Sequence, residues 1–324
     1  MTRSVLLRFI VGAFSAAALA HVATSVLAAA ALRELYPHRI YDVRKWSDDA
    51  VASFRLVGSF LNENAVPQDR PVIVFAGSSV TFGYRFPEQV TFARLFADRH
   101  QDARVLNVSI IAADVSAVND WIVCAARRND VHVDTLVIEL PVVNTLTYLV
   151  KGQQSGHAPP PLSVCERSDR DPGYLRLALT AFRGTGWLGF FWTRTPLLGS
   201  DGPVQIERVP KGSFAGAPDF DTVRRPFAEQ IATTLRNAAI VGRRVYAFPS
   251  PVFAAGLDQI GEDSAAVRAQ LDAALDACRS VASIGCIDPS ALYDESRYFY
   301  NFTHLNHAGH RAMADLVSAH VAVP

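Results

Sequence analysis

The chain is poor in the residues that many classes of function require. It has four cysteines in 324 residues, Cys124, Cys165, Cys278 and Cys286, and no two form a Cys-x-x-Cys pair. There is no His-Glu-x-x-His spacing either, so no metal site and no cofactor are expected. Long runs of like charge are missing. Lys+Arg and Asp+Glu both number 31, the formal charge is zero, and no basic stripe is available to neutralise phosphates. That balance excludes nucleic acid as the expected partner. No internal repeat appears, which excludes a solenoid or propeller.

What is plentiful is apolar. Half of the residues are hydrophobic, which suits a parallel sheet buried on both faces together with a membrane segment. From Phe9 to Leu32 the chain is apolar, interrupted only by Ser, Thr, Gly and His21, with Arg3 and Arg8 before it. A bilayer core needs roughly 20 such residues, so the stretch is long enough to span. An uncleaved anchor is the favoured reading. The alanines from Ala28 to Ala31 leave a cleaved signal open, and a buried soluble helix is the plain alternative. Arg33, Arg39, Arg44 and Lys45 follow the stretch, so counting local basic residues does not favour export of what comes after.

Residues 34–69 read as a helical connector, with helical spacing from Ser47 to Asn62. Strands and helices then alternate. Strands are expected at Val72–Ala76, Arg104–Val108, Thr135–Leu140, Arg244–Phe248 and Ser283–Ile287. Helices are expected at Thr91–His100, Val115–Arg127, Phe227–Val241, Ser264–Val281 and from His307 to about His320. This alternation argues for a parallel sheet with helices on both faces, and for a ligand site at the carboxyl ends of the strands. Residues 151–225 break the pattern and read as an insertion, with Pro159-Pro160-Pro161 and the apolar island Gly186–Trp192. Trp187, Phe191 and Trp192 could stack on sugars or meet a bilayer; packing onto the domain is the plainer role. Cys278 and Cys286 are close enough in sequence to bridge a helix end to a strand, with free buried thiols as the alternative.

Two short motifs point to chemistry. Gly77-Ser78-Ser79-Val80-Thr81-Phe82-Gly83 follows the first strand directly, and Asn301-Phe302-Thr303-His304-Leu305-Asn306 lies near the C-terminus. A hydroxyl just past a strand, beside backbone N–H groups, can act as a nucleophile if a base is near. His304 is the candidate base.

Together these motifs resemble the SGNH (GDSL-type) hydrolase superfamily of esterases, lipases and carbohydrate O-acyl transferases. The resemblance implies a flavodoxin-like three-layer α/β/α sandwich around a mostly parallel five-stranded sheet, spanning 70–324 behind an N-terminal transmembrane helix within residues 1–33. It implies Ser79 as nucleophile and His304 as general base. Ser78 stands where the family usually has Asp, and Asn301 stands where the acid of the triad is usual. Asp288 and Asp294 are the alternative carboxylates for orienting His304. The weaker second block, Asn107-Val108-Ser109-Ile110-Ile111-Ala112, and the third, Leu136 to Asn144, imply an oxyanion hole from the N–H groups of Ser79 and Ala112 with the side chain of Asn144. The implied activity is cleavage or transfer of an ester-linked acyl group, such as acetyl, on a cell-envelope carbohydrate, with the domain on the exported side of the membrane. A non-catalytic glycan- or partner-binding protein and a lipid esterase are the rival readings.

Overall fold

The structure, a computed structural model, describes residues 70–150 and 220–323, apart from positions 85, 87, 110–112 and 127–132, together with a few residues between 12 and 23. The connector 34–69, residues 151–219 of the insertion, and nearly all of Phe9–Leu32 lie outside the described residues. Among the described residues no helix is long and apolar enough to cross a membrane.

Five strands form one sheet: β1 (Val72–Ala76), β2 (Arg104–Asn107), β3 (Val133–Leu140), β4 (Gly242–Pro249) and β5 (Ile284–Cys286). Their order is β2-β1-β3-β4-β5, and every pairing is parallel. This is the flavodoxin-like order, in which the chain leaves β1 toward one edge and returns toward the other. β1 is Val-Ile-Val-Phe-Ala, with all five residues buried. Such a strand can sit only in the middle of a sheet covered on both faces.

The helices are α1 (Ser79–Phe82), α2 (Phe92–Arg99), α3 (Val115–Ala126), α4 (Val142–Val150), α5 (Phe220–Val241), α6 (Ser264–Arg279) and α7 (His307–His320). α5 packs against α3 and α6, and α2 packs against α7. Right-handed crossovers running in opposite directions from β1 put α2 on one face and α3, α5 and α6 on the other, and α7, which follows the last strand, joins α2 by packing against it. Under α2, Phe75 meets Phe92 and Phe96 edge-on at 5.9 and 5.4 Å, and Phe92 meets Phe248 at 5.9 Å.

Among the described residues the expected strands of the sheet and the helices around them appear, with ends moved by a few residues, and further elements join them, including short 3₁₀ turns. α4 follows β3 directly. A two-stranded hairpin, β6 (Phe299–Asn301) and β7 (His304–Leu305), precedes α7. α5 also begins at Phe220 rather than Phe227, so the end of the expected insertion is helical. Pro226 faces solvent, and Phe220 meets Phe227 edge-on at 6.1 Å, two turns along the helix. That apolar pair extends the helix through a residue that reads as a boundary in the sequence.

Cys278 at the end of α6 and Cys286 in β5 form a disulfide, with Cα atoms 6.0 Å apart. For residues separated by 8 positions, loop closure in the unfolded chain is worth about 2.5 kcal/mol in the chain-entropy argument. Cys278→Ser with Cys286→Ser should therefore lower Tm by roughly 5–10 °C for a domain of this size. Thermal unfolding followed by circular dichroism checks this.

Candidate active site

Two glycines shape the turn after β1, for different reasons. Gly83 closes α1 with φ of 73°, a left-handed conformation that favours glycine. Gly77 does not have a positive φ. A Cβ there would lie 2.5 Å from Glu139 Cβ and 2.6 Å from Glu139 Oε2. Gly77 thus makes room for a side chain from the neighbouring strand.

That side chain had no role in the sequence reading. Glu139 is fully buried near the end of β3. Its Oε2 accepts the N–H groups of Ser78 and Thr81, each at 2.9 Å. Its Oε1 accepts the Ser250 hydroxyl at 2.6 Å and the Ser78 hydroxyl. Ser78 is 2% exposed and occupies the N-cap position of α1, but its hydroxyl turns inward to Glu139 instead of capping. It is therefore not available to a substrate. A lone acid in the run Val-Ile-Glu-Leu was the available signal, since a buried carboxylate requires donors around it.

Ser79, one residue on, is half-buried, and its Oγ lies 2.9 Å from His304 Nε2. These residues are 225 positions apart and meet because the hairpin β6–β7 stands over α1. Asn301 and His304 are antiparallel partners joined by Phe302 and Thr303. A two-residue connection turns both side chains to one side, which is what the Asn-x-x-His spacing encodes. Phe302 anchors the hairpin: it is buried, stacks on Phe253 at 6.2 Å, and its carbonyl accepts Phe253 N–H at 2.8 Å. Asn306 caps α7 by accepting Gly309 N–H at 2.9 Å, while its amide donates to Arg297 O at 2.7 Å. A Cβ on Gly309 would sit 2.0 Å from Tyr298 O. The Leu-Asn-x-x-Gly that follows His304 is thus a clasp between hairpin and helix.

Asn301 Oδ1 lies 2.9 Å from His304 Nδ1. The same oxygen accepts Thr303 N–H at 3.1 Å and His304 N–H at 2.9 Å. An NH₂ group cannot accept from a backbone N–H, so these two donors fix which way the amide points. Oxygen faces the ring, so Nδ1 carries the proton and Nε2 presents its lone pair to Ser79. Thr303 Oγ1 also lies 3.1 Å from Nδ1. The Tyr84 ring packs against the imidazole, with centroids 4.9 Å apart.

The alternative acids do not occupy the place beside Nδ1. Asp294 pairs with Arg268 on the surface, which raises the guanidinium pKa, and Asp288 accepts Ser290 N–H and lies 3.7 Å from Arg279. Ala112 lies outside the described residues. Asn144 is in α4, and its amide donates to Ala113 O at 2.8 Å, which ties it to the backbone beside Ala112. Asn107 joins the end of β2 to α1 by donating to Thr81 O at 2.8 Å. His310 is a packing residue: it is 1% exposed, stacks on Phe92 and accepts Phe92 N–H at 3.3 Å. His307 lies beside Phe86. Among the described residues no group of His, Cys, Asp and Glu could hold a metal ion.

No family model matches the chain, and no curated protein matches it. Solved structures similar to it include a lipolytic protein of the G-D-S-L family from Veillonella parvula. That match has 13% identity and a TM-score of 0.44, and covers 76% of this chain and 96% of the other. A catalytic mutant of an acetylxylan esterase from Geobacillus stearothermophilus has 11% identity and a TM-score of 0.44, with 80% and 97% covered. A salicylyl-acyltransferase from a tetracycline biosynthetic pathway has 12% identity and a TM-score of 0.40, with 78% and 54% covered. Likenesses this distant assign neither a substrate nor the role of any residue. By the order of its sheet and the two motifs at the ends of its strands, the chain is similar to the SGNH hydrolases.

Proposed function

We propose that the protein is a serine esterase or O-acyl transferase. The observation that carries this reading is the continuous relay Ser79 Oγ, His304 Nε2, His304 Nδ1, Asn301 Oδ1, with both gaps at 2.9 Å. Ser79 Oγ attacks the acyl carbonyl and its proton passes to Nε2. The tetrahedral intermediate collapses, the alcohol leaves with that proton, and the acyl group remains on Ser79. Water or a sugar hydroxyl then gives its proton to Nε2 and takes the acyl group, and Nε2 passes that proton to the departing Ser79 Oγ, which restores the hydroxyl and the neutral imidazole. The developing oxyanion is assigned to the N–H of Ser79 and the second amide N–H of Asn144, with the N–H of Ala112 as the further donor that the family resemblance implies.

The missing acid does not make the relay inert. Where a triad Asp is changed to Asn in a chymotrypsin-like protease, kcat falls about 10⁴-fold because the imidazole takes the wrong tautomer. Here the backbone N–H groups of Thr303 and His304 hold the amide oxygen toward the ring, which supports the working tautomer. What Asn301 lacks is the charge that steadies the imidazolium. This favours a slow enzyme over a non-catalytic binding protein. An active-site fluorophosphonate should label the wild type at Ser79, located by peptide mass, and should not label the Ser79→Ala variant. Absence of wild-type labelling would favour the non-catalytic reading.

The substrate is an acylated carbohydrate of the cell envelope, acetyl being the favoured group, and the domain lies outside the cytoplasm behind the Phe9–Leu32 anchor. The Cys278–Cys286 disulfide supports an oxidising compartment. A C-terminal alkaline phosphatase fusion should be active and a cytoplasmic reporter fusion inactive; the reverse pattern refutes export. Faster turnover of acetyl than of long-chain esters separates this reading from a lipid esterase.

A further inference from the structure

We infer that Glu139 is a positioning residue that holds the nucleophile turn and decides which of its amides remain open to substrate. The inference rests on the reading of Ser79 as nucleophile. A fully buried acid in an apolar strand is a poor choice for stability, because an apolar residue of similar size packs there without desolvating a carboxylate. Its value lies in what it binds. Oε2 takes the N–H of Ser78, just before the nucleophile, and the N–H of Thr81, two residues after it. Ser79 is thereby held from both sides by one oxygen. Among the described residues no acceptor takes the N–H of Ser79 or of Val80, the two amides between the clamped ones.

The other oxygen ties this turn to a third strand. Oε1 accepts the hydroxyls of Ser78 and Ser250, and Ser250 follows β4 with its N–H on Leu140 O at 3.0 Å. One carboxylate thus joins the carboxyl ends of β1, β3 and β4. The missing Cβ of Gly77 gives it the space. The hairpin that carries His304 is anchored three residues beyond Ser250, at Phe253. Glu139 therefore stands between the supports of the nucleophile and those of the base, and holds the register that leaves Oγ 2.9 Å from Nε2.

The test compares Glu139→Gln and Glu139→Leu in the full chain, with 4-nitrophenyl acetate for kcat and KM and fluorophosphonate for the labelling rate of Ser79. Glutamine keeps one oxygen for the two backbone N–H groups, and its NH₂ can donate to the two serine hydroxyls. Leucine keeps the volume and removes both acceptors. Glu139→Leu should lower kcat and the labelling rate together by about 100-fold with KM little changed, the size expected for misplacing a reacting atom by about 1 Å. Glu139→Gln should restore both to within roughly tenfold of the wild type. A folded Glu139→Leu variant with wild-type kcat and labelling overturns the inference and leaves Glu139 as filling. So does a rise in KM at constant kcat. If Glu139→Leu does not fold, Ser78→Ala with Ser250→Ala removes the two hydroxyl donors and keeps the backbone clamp. That variant should lose about tenfold in kcat, and an unchanged kcat in the folded protein overturns the inference. A wild type that hydrolyses the ester without labelling at Ser79 would instead overturn the nucleophile reading, and this inference with it.

Discussion

Ser79→Ala should abolish ester cleavage and acyl transfer, with a loss in kcat of at least about 10⁴-fold, while thermal stability stays within about 0.5 kcal/mol of the wild type. The two halves of this expectation have one cause. The Ser79 side chain is half-buried at the end of the sheet, and its hydroxyl meets the His304 ring. Removing it opens no cavity in the core and strands no buried donor. It removes the atom that forms the covalent intermediate. Ser78→Ala serves as the contrast. Its hydroxyl is turned to Glu139, so its loss should weaken the turn and reduce the rate far less. Kinetics on 4-nitrophenyl acetate with both variants, alongside thermal unfolding, tests this. Activity retained in Ser79→Ala and lost in Ser78→Ala would move the nucleophile and end the present assignment.

Asn301→Asp should raise turnover by about tenfold. A carboxylate in that place keeps the two backbone N–H bonds and the bond to Nδ1, and adds a full charge beside the imidazolium formed as Ser79 attacks. Charge-assisted hydrogen bonds are roughly twice as strong as neutral ones, and a gain of about 1.4 kcal/mol in the transition state is tenfold in rate. The pH profile should move as well. A negative charge 2.9 Å from Nδ1 favours the protonated ring, so the pKa of His304 rises in the variant. The base must be neutral to accept a proton, and the acid limb of kcat/KM therefore shifts to higher pH. At low pH the variant loses part of its advantage; at high pH it keeps all of it. Asn301→Leu should act in the opposite direction, lowering kcat because only the Thr303 hydroxyl, 3.1 Å from Nδ1, is left to hold the proton there. A fall in rate in a well-folded Asn301→Asp variant would mean that the amide itself suits this site better than an acid. An unchanged acid limb would mean that residue 301 does not face the base in solution.

Most of the framework was legible in the sequence. Val72–Ala76 was legible as a buried strand, since five apolar residues in a row call for cover on both faces, and the structure puts it inside the sheet between β2 and β3. The alternation after it specifies crossovers, and right-handed crossovers leave few ways to arrange a parallel sheet. Asn301 and His304 were legible as a pair only through the family resemblance; the hairpin that turns both side chains to one side was not. α4 was harder to see. Its sequence, Val142–Val150, is apolar and follows a buried strand with only Pro141 between them, so periodicity alone does not mark its start. The early start of α5 was hidden by Pro226, a helix breaker whose effect is offset by the Phe220–Phe227 contact.

What the sequence determined by itself was local: the buried strands, the helices with apolar faces and the Gly-Ser-Ser turn after the first strand. These follow from spacing, because a side chain's direction along a strand or helix is set by its nearest neighbours. What only the tertiary structure decided was which distant groups share a hydrogen bond. Glu139 reads as one acid in an apolar strand until Ser78, Thr81 and Ser250 are seen around it. Gly77 reads as a tight turn until the carboxylate is seen to need its space. Asn301 reads as a lost catalytic acid until two backbone N–H groups are seen to aim its oxygen at the ring. In each case the partner is brought in by packing from another strand or turn, and a hydrogen bond depends on distance and direction that spacing along the chain does not carry.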